Sequence, residues 1–206
     1  MDKDINIVFL GDSFTNRTGV KYADNPEKRF STHYTENYAE YVMKRLFIHF
    51  PETNFRFYNK GISGDSTADL LNRYDNDVLK LNPDIVVLLI GHNDVKKKSY
   101  EEFMQDYSVL INRLKENEIK VISMSILPVK INSEQNEKIT IFNNGISKLI
   151  KAAGYIYLDL FEYFNNILIK EASKKINLFE ETMHLSELGN IYIADYVYDT
   201  ISEIIK

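Results

Sequence analysis

The stretch INIVFLGDSFT, residues 5–15, begins as an apolar, β-branched run and ends in a glycine, an acid and a serine. Such a run is typical of a buried strand. In folds that alternate strands and helices, the loops at the carboxyl ends of the strands carry ligands and chemistry. We therefore predict that Ser13 lies at the rim of a sheet, on a turn that Gly11 permits. At this point Ser13 has two interpretations, a reactive group or a plain turn or helix cap.

The rest of the chain alternates strand and helix patterns. The run DIVVLLI, residues 84–90, is typical of a central strand that is covered on both faces. Further strands are predicted at 55–59, 120–126 and 155–158. Helices are predicted at 34–50, 67–81, 99–117, 134–153, from the fifth strand to about 174, and at 186–205. The alternation predicts an α/β fold in which a five-stranded parallel sheet lies between two helical layers. The strand order stays open, but every exit loop should meet at one edge of the sheet.

Composition limits the class of protein. The 206 residues predict a single domain spanning residues 1–206. A net charge of −5 without an obvious basic face argues against nucleic acid and anionic membranes as partners. The chain has no cysteine, which excludes disulfides and thiolate metal sites. No segment has the pattern of a signal peptide or a membrane span, so we predict a cytoplasmic protein; the oligomeric state stays open.

Four short motifs carry the chemistry. Three follow predicted strands, GDS at 11–13, NKGISGD at 59–65 and GHND at 91–94, and ETMH at 181–184 precedes the last helix. Glycines let a backbone N–H approach a ligand, and asparagine offers an uncharged donor. A histidine with a carboxylate three residues earlier can be held in one tautomer while its far nitrogen faces a hydroxyl. Nucleophile, base, orienting acid and donors are together the groups that acyl transfer requires.

In this order the motifs resemble the sequence blocks of the GDSL/SGNH hydrolases, a superfamily of serine esterases and lipases. The matches extend over residues 5–190, nearly the whole chain. The resemblance implies a three-layer α/β/α sandwich around a five-stranded parallel sheet of the flavodoxin-like kind. It also implies that Ser13 is the nucleophile and His184 the general base. The oxyanion hole would consist of the Ser13 N–H, the Gly64 N–H and the Asn93 side-chain amide.

Two positions complicate this assignment. The acid of the family is usually an aspartate three residues before the histidine, and this chain has Glu181 there. Glutamate can still accept from a histidine nitrogen, so Glu181 is the predicted acid, with Glu180 or neither as alternatives. In addition, residues 64–66 repeat the tripeptide Gly-Asp-Ser. The position of Ser66 suits the N-cap of the helix that starts at Thr67, and the resemblance favours Ser13.

Three neighbours of the motifs, Asp12, Phe14 and His92, are candidates for a substrate pocket, whereas Asp94 is expected to hydrogen-bond its loop. The predicted function is a serine esterase that forms an acyl-enzyme. Its substrate would be a short-acyl or acetyl ester of a small molecule or carbohydrate, and neither a metal nor a cofactor is expected. One alternative is a non-catalytic or nucleotide-binding α/β module, although the chain lacks both glycine-rich phosphate motifs. A metal hydrolase is the other alternative, but the sequence has no H-E-x-x-H pattern.

Overall fold

One parallel sheet forms the centre of the protein. The computed structural model describes residues 3–16, 37–130, 133–170, 177–180 and 183–206. The five strands are β1 (Lys3–Gly11), β2 (Thr53–Gly61), β3 (Ile85–Leu89), β4 (Lys120–Met124) and β5 (Ile156–Leu158). They pair in the order β2-β1-β3-β4-β5, and every pair is parallel. The predicted five-stranded parallel sheet is therefore confirmed.

The strand order determines where a site can form. β1 pairs with β2 on one side and with β3 on the other, so the direction in which the chain adds strands reverses between β1 and β3. Open α/β sheets bind ligands at such a switch point, outside the carboxyl ends of the strands. The register aligns Gly11 with Gly61 on one neighbour and with Leu89 on the other. The exits of the first three strands are therefore adjacent.

Two helical layers cover the sheet. The helices are α1 (Tyr38–His49), α2 (Thr67–Asp77), α3 (His92–Lys97), α4 (Tyr100–Glu116), α5 (Ser133–Ala152), α6 (Leu160–Lys170) and α7 (Glu187–Ile205). Alternate side chains of β1 enter different cores: Ile7 and Phe9 pack on the side of α1, α6 and α7, whereas Val8 and Leu10 pack on the side of α2, α4 and α5. This confirms the three-layer α/β/α sandwich. None of the helices in the described ranges is long and apolar enough to cross a membrane.

Several element boundaries differ from the prediction. The loop expected at 91–94 is wrong, because α3 begins at His92 directly behind β3. Gly91 adopts a φ of +126°, and its carbonyl accepts the Val95 N–H at 2.9 Å, so strand passes into helix without a connecting loop. β4 ends at Met124, two residues early, because the Ile126 N–H binds the Asn143 side chain on α5 instead of a strand.

Helix ends also differ. α1 begins at Tyr38 behind an Asn37 cap, and α2 ends at Asp77, followed by a 3₁₀ turn at Leu79–Leu81. Most of the long loop predicted at 14–33 lies outside the described residues. As predicted, Ser186 caps the last helix, since its side chain accepts the Gly189 N–H.

Candidate active site

The turn that carries Ser13 closes on Asp12. The Asp12 carbonyl accepts the N–H groups of Thr15 and Asn16 at 3.2 and 2.9 Å, and its Oδ1 accepts the Phe14 N–H at 3.0 Å. Ser13 is half-buried at the tip of this turn. Among the described residues, its own N–H donates to no acceptor. This N–H is therefore available to a ligand atom.

Residues beyond the motif hold the turn in place. The Asn37 side-chain amide donates to the carbonyls of Thr15 and Asn16 at 2.6 and 3.1 Å, and the hydroxyls of Thr15 and Tyr38 lie 2.9 Å apart. Gly61, at the end of β2, lies so close that a Cβ there would be 2.2 Å from the Asn16 nitrogen. The glycine therefore lets the Ser13 turn pack directly on the neighbouring strand. Sequence reasoning missed Asn37, and only its suitability as a helix N-cap could have pointed to it.

The glycine-rich loop after β2 lies next to this turn. The Asn16 side-chain amide donates to Ser63 Oγ at 2.9 Å, and the Ile62 N–H donates to the Gly11 carbonyl at 3.1 Å. Gly64 has a φ of +92°, a conformation that favours glycine. Like that of Ser13, the Gly64 N–H has no acceptor among the residues described.

The first turn of α3 extends the same edge. The Asn93 amide donates one N–H to the Asp65 carbonyl at 2.8 Å, which fixes the side chain beside Gly64 and leaves its second N–H for another acceptor. Asp94 is fully buried, accepts the Thr67 N–H at 3.0 and 3.1 Å, and accepts from Lys98 Nζ at 2.8 Å. Asp94 thus has a hydrogen-bonding role as predicted, but its partners are not in its own loop, because the carboxylate ties α3 to the start of α2.

His184 comes from a tight loop before α7. Phe179 and Leu185 form an antiparallel bridge, and inside it the Glu180 N–H donates to the His184 carbonyl at 2.9 Å. The rings of His184 and Phe14 pack with centroids 5.8 Å apart, so His184 lies beside the residue that follows Ser13. The Glu180 side chain is exposed. Glu181, the predicted acid, lies outside the described residues.

His92 forms a buried layer beneath this edge. Its ring stacks on Phe14 with centroids 4.6 Å apart, and the two side chains are 1% and 4% exposed. Burial, reinforced by the charges of Lys96 and His184, lowers the pKa of His92 to about 3. The ring is therefore neutral at physiological pH. The pocket candidates Phe14, His92 and Asp12 are all buried under the Ser13 turn.

Asp12 is buried and has no cation beside it among the described residues. Burial raises the pKa of its carboxyl to about 7, and the charges of Asp94 and Asp65 add to this, while the hydrogen bond from Phe14 opposes it. Asp94 lies equally deep but has Lys98 as an ion-pair partner. The carboxyl of Asp12 is consequently half protonated near neutral pH.

Ser66 has a structural position. Its N–H and its hydroxyl donate to Asp69 Oδ2 at 2.8 and 2.6 Å, and the residue is 7% exposed. This geometry confirms the prediction that Ser66 is the N-cap of the helix beginning at Thr67.

Arg73 on α2 links the exits of β1 and β2, and sequence reasoning missed it. Its Nη2 donates to the carbonyls of Gly11 and Lys60 at 3.1 and 2.9 Å. Its Nε and Nη1 donate to the carboxylates of Asp65 and Asp77 at 2.8 and 2.5 Å. One guanidinium thus binds the ends of β1 and β2 and the glycine-rich loop. An arginine on a polar helix carries no such signal in the sequence, since only the fold brings these acceptors together.

No metal centre is evident in this region. Across the parts of the chain that the structure describes, no three histidine, aspartate or glutamate side chains form a group that could hold a metal ion.

A sheet of order β2-β1-β3-β4-β5 between two helical layers, with this constellation at the exits of β1 and β3, defines a flavodoxin-like α/β/α protein with a site at its switch point. Residues 9–190 match the GDSL-like Lipase/Acylhydrolase family, and the chain belongs to that family.

Several proteins that this chain resembles are named acetylxylan esterases. The protein named acetylxylan esterase of Geobacillus stearothermophilus is 35% identical over 106 residues, which are 52% of this chain and 47% of that protein. The match thus spans about half the length of this relative. The crystal structure of the acetyl xylan esterase AlAXEase superposes with a TM-score of 0.80 at 27% identity, covering 96% of this chain and all of that one. The crystal structure of Axe2 from Geobacillus stearothermophilus gives a TM-score of 0.77 at 24% identity, over 94% and 92% of the two chains.

The role of Arg73 can be tested by its effect on stability. Arg73→Met removes one donor from each of the carboxylates of Asp65 and Asp77 and from two strand-end carbonyls, so we expect a loss of about 3–5 kcal/mol in the free energy of unfolding. Arg56→Met is the matched control, because it makes the same substitution at an exposed arginine whose only ion pair among the described residues is with exposed Asp4, and it should lose much less. Urea denaturation measures both. Equal losses in the two variants would contradict a linking role for Arg73.

The protonation of Asp12 can be tested by the pH dependence of stability. Because its folded pKa of about 7 lies above the ordinary 3.8, the unfolded state loses this proton first, and the contribution of Asp12 to stability falls as pH rises from about 4 to 7. Asp12→Asn removes that penalty, so the variant should gain about 2 kcal/mol relative to wild type between pH 5 and pH 7. Urea midpoints at the two pH values measure the gap. A gap that does not change with pH would mean that the carboxyl is already ionised at pH 5.

Proposed function

We propose that this protein is a serine ester hydrolase in which Ser13 attacks the carbonyl carbon of the ester. One observation carries the proposal: Ser13, with an unused N–H, lies on a turn that contacts both the Gly64–Asn93 corner and the His184 loop. These groups come from three strand exits and the C-terminal loop. Membership of an acylhydrolase family and the acetylxylan esterase relatives support the same reaction.

In the proposed reaction, His184 takes the proton of the Ser13 hydroxyl while Ser13 Oγ bonds to the carbonyl carbon. The negative charge that develops on the carbonyl oxygen accepts hydrogen bonds from the N–H groups of Ser13 and Gly64 and from the second N–H of Asn93. The alcohol then leaves with the proton that His184 held. A water molecule, deprotonated by His184, attacks the acyl-serine, and collapse of the second oxyanion releases the acid and restores the Ser13 hydroxyl.

The hydrogen bonds present without a substrate suit the proposed role of Asn93 as an oxyanion donor. The bond from Asn93 to the Asp65 carbonyl orients the amide before a substrate arrives. Donors that are already oriented need no rearrangement when charge develops, which is the main advantage of an oxyanion hole. Arg73 contributes indirectly, because it binds both Asp65 and the end of β1. It thereby helps to keep the distance between the proposed nucleophile and the proposed donors fixed.

We assign Glu181 as the acid that orients His184. Two solved structures of the Geobacillus stearothermophilus enzyme Axe2 are of catalytic mutants, one at an aspartate and one at a histidine three positions later. Glu181 has the same spacing from His184 in this chain. Glu180 is the less suitable neighbour, because its N–H is bound to the His184 carbonyl and its side chain is exposed.

The substrate we propose is an acetyl or short-acyl ester of a carbohydrate or another small molecule. The names of relatives support this class, since the relative matched in sequence and two of the superposable structures are named acetylxylan esterases.

The two Gly-Asp-Ser serines provide a matched test of the nucleophile. Ser13→Ala should lower the hydrolysis of p-nitrophenyl acetate by about 10⁴-fold or more, because the bond-forming oxygen is lost. It should also abolish the single adduct that a serine-directed phosphonate forms in intact mass spectra. Ser66→Ala should keep both the turnover and the adduct and lose only about 1 kcal/mol of stability from its helix cap.

The outcomes of this test separate a wrong nucleophile from a wrong function. Turnover that survives in Ser13→Ala would contradict the nucleophile assignment. Wild-type protein that gives neither turnover nor adduct would contradict the proposed function and favour a binding module.

The two glutamates provide a matched test of the orienting acid. Glu181→Gln should lower kcat roughly 10²- to 10⁴-fold, since it can no longer hold the imidazole in the required tautomer or stabilise its charged form. Glu180→Gln makes the same substitution at the neighbouring residue, and its kcat should stay within about twofold of that of wild type. Steady-state kinetics with p-nitrophenyl acetate distinguish the two. A large loss in Glu180→Gln alone would transfer the role to that residue.

A further inference from the structure

Three consecutive lysines at 96–98 follow the Asn93 turn, and they differ in their surroundings. Lys98 is half-buried and pairs with the carboxylates of Asp94 and Asp106 at 2.8 and 2.7 Å. Lys96 and Lys97 are exposed, and neither has a carboxylate within 4.0 Å among the residues described. Lys98 is thus part of the structure, whereas the ammonium groups of the other two face solvent.

Helix geometry directs both exposed lysines toward the site. Positions three and four residues apart lie on the same face of a helix, so Lys96 and Lys97 are one turn beyond Asn93 on its own face of α3. The rise of 1.5 Å per residue places them about 4.5–6 Å further along the helix axis than Asn93.

The two lysines contact different loops of the site. Lys97 Nζ is 3.4 Å from the Gly64 carbonyl, beside the proposed oxyanion hole. Lys96 Nζ is 3.2 Å from the sulfur of Met183, the residue before His184. The two ammonium groups therefore lie beside the loop of the proposed oxyanion donor Gly64 and beside the loop of the proposed general base.

The field of these charges reaches the groups around them. The charge of Lys96 is among the causes that lower the pKa of buried His92. The hydrogen bonds from Ser66 lower the pKa of the Asp69 carboxyl, and the charge of Lys97 adds to this effect. The chain as a whole carries a net charge of −5, so attraction for an anion at this site would be local and not a property of the entire surface.

We propose that Lys96 and Lys97 form a subsite for an anionic group, a carboxylate or a phosphate, on the alcohol part of the ester substrate. The inference rests on the proposed function and narrows its substrate class. The alcohol part is favoured because the leaving oxygen receives its proton from His184, and Lys96 stands beside the His184 loop. An acetylated sugar acid or sugar phosphate has this chemistry. Lysine ammonium groups bind such anions as point charges.

Matched aryl esters test the subsite. The probes are methyl 4-acetoxybenzoate, which is neutral, 4-acetoxybenzoate, which carries a carboxylate, and 4-acetoxyphenyl phosphate. For each enzyme variant we compare kcat/KM of each anionic ester with that of the neutral ester, so that intrinsic reactivity cancels between variants. The neutral ester also reports any disturbance of the catalytic groups themselves. The variants are wild type, the double variant Lys96→Gln/Lys97→Gln, and Lys120→Gln.

The double variant should lower the anionic-to-neutral ratio about tenfold, the size expected for two partly exposed charge contacts. In wild type the ratio should decrease as salt rises from 0.01 to about 0.5 M, and the double variant should lose this dependence. Lys120→Gln removes an exposed charge at the opposite, amino-terminal edge of the sheet and should leave the ratio unchanged. The anionic ester that shows the larger effect identifies whether carboxylate or phosphate is preferred.

Two failures can be told apart. If wild type hydrolyses the neutral ester but the ratio is the same in the double variant, the anionic subsite is wrong and the proposed esterase function stands. If wild type hydrolyses none of the three esters and forms no phosphonate adduct on Ser13, the proposed function fails and the subsite fails with it.

Discussion

The parallel pairing of β1 with β2 on one side and with β3 on the other is the constraint on which the rest of the structure depends. Neighbouring strands lie about 4.8 Å apart, so this pairing brings together three loops that are distant in the chain. Because the strand order reverses between β1 and β3, the helices that follow these strands lie on opposite faces and leave a crevice at their exits. The Ser13 turn and the Asn93 turn leave the sheet at this crevice.

Adjacent strand ends alone do not hold loops in a fixed arrangement. Backbone groups in partly buried loops need partners, and here side chains supply them. The Arg73 guanidinium binds two strand-end carbonyls and Asp65, and Asn37 binds the Ser13 turn from the start of α1. Each helical layer thus contributes one polar side chain that fixes a loop, Asn37 at the start of α1 and Arg73 on α2. The loops that carry the proposed catalytic groups are therefore held by rigid elements.

Three buried ionisable groups near the site have different surroundings. Asp94 pairs with Lys98 and accepts a backbone N–H, and both contacts compensate for its burial. Among the described residues no cation pairs with Asp12, and burial raises the pKa of its carboxyl. His92 is neutral because burial and nearby positive charge both oppose protonation.

The sequence by itself determined the order of strands and helices, the parallel sheet and the four motifs, because apolar periodicity and glycine-rich exits are local properties. It also predicted that Ser66 caps the helix that starts at Thr67, whereas the preference for Ser13 as the nucleophile rested on the family resemblance. It did not predict α3, because Gly91, Asn93 and Asp94 have the composition of a turn and only the positive φ of Gly91 starts a helix there. Only the tertiary structure decided the strand order, the role of Arg73, the protonation of Asp12 and the position of Lys96 and Lys97 beside two loops of the site. Each of these depends on contacts between residues far apart in the chain, and such contacts leave no periodic or local pattern in a single sequence.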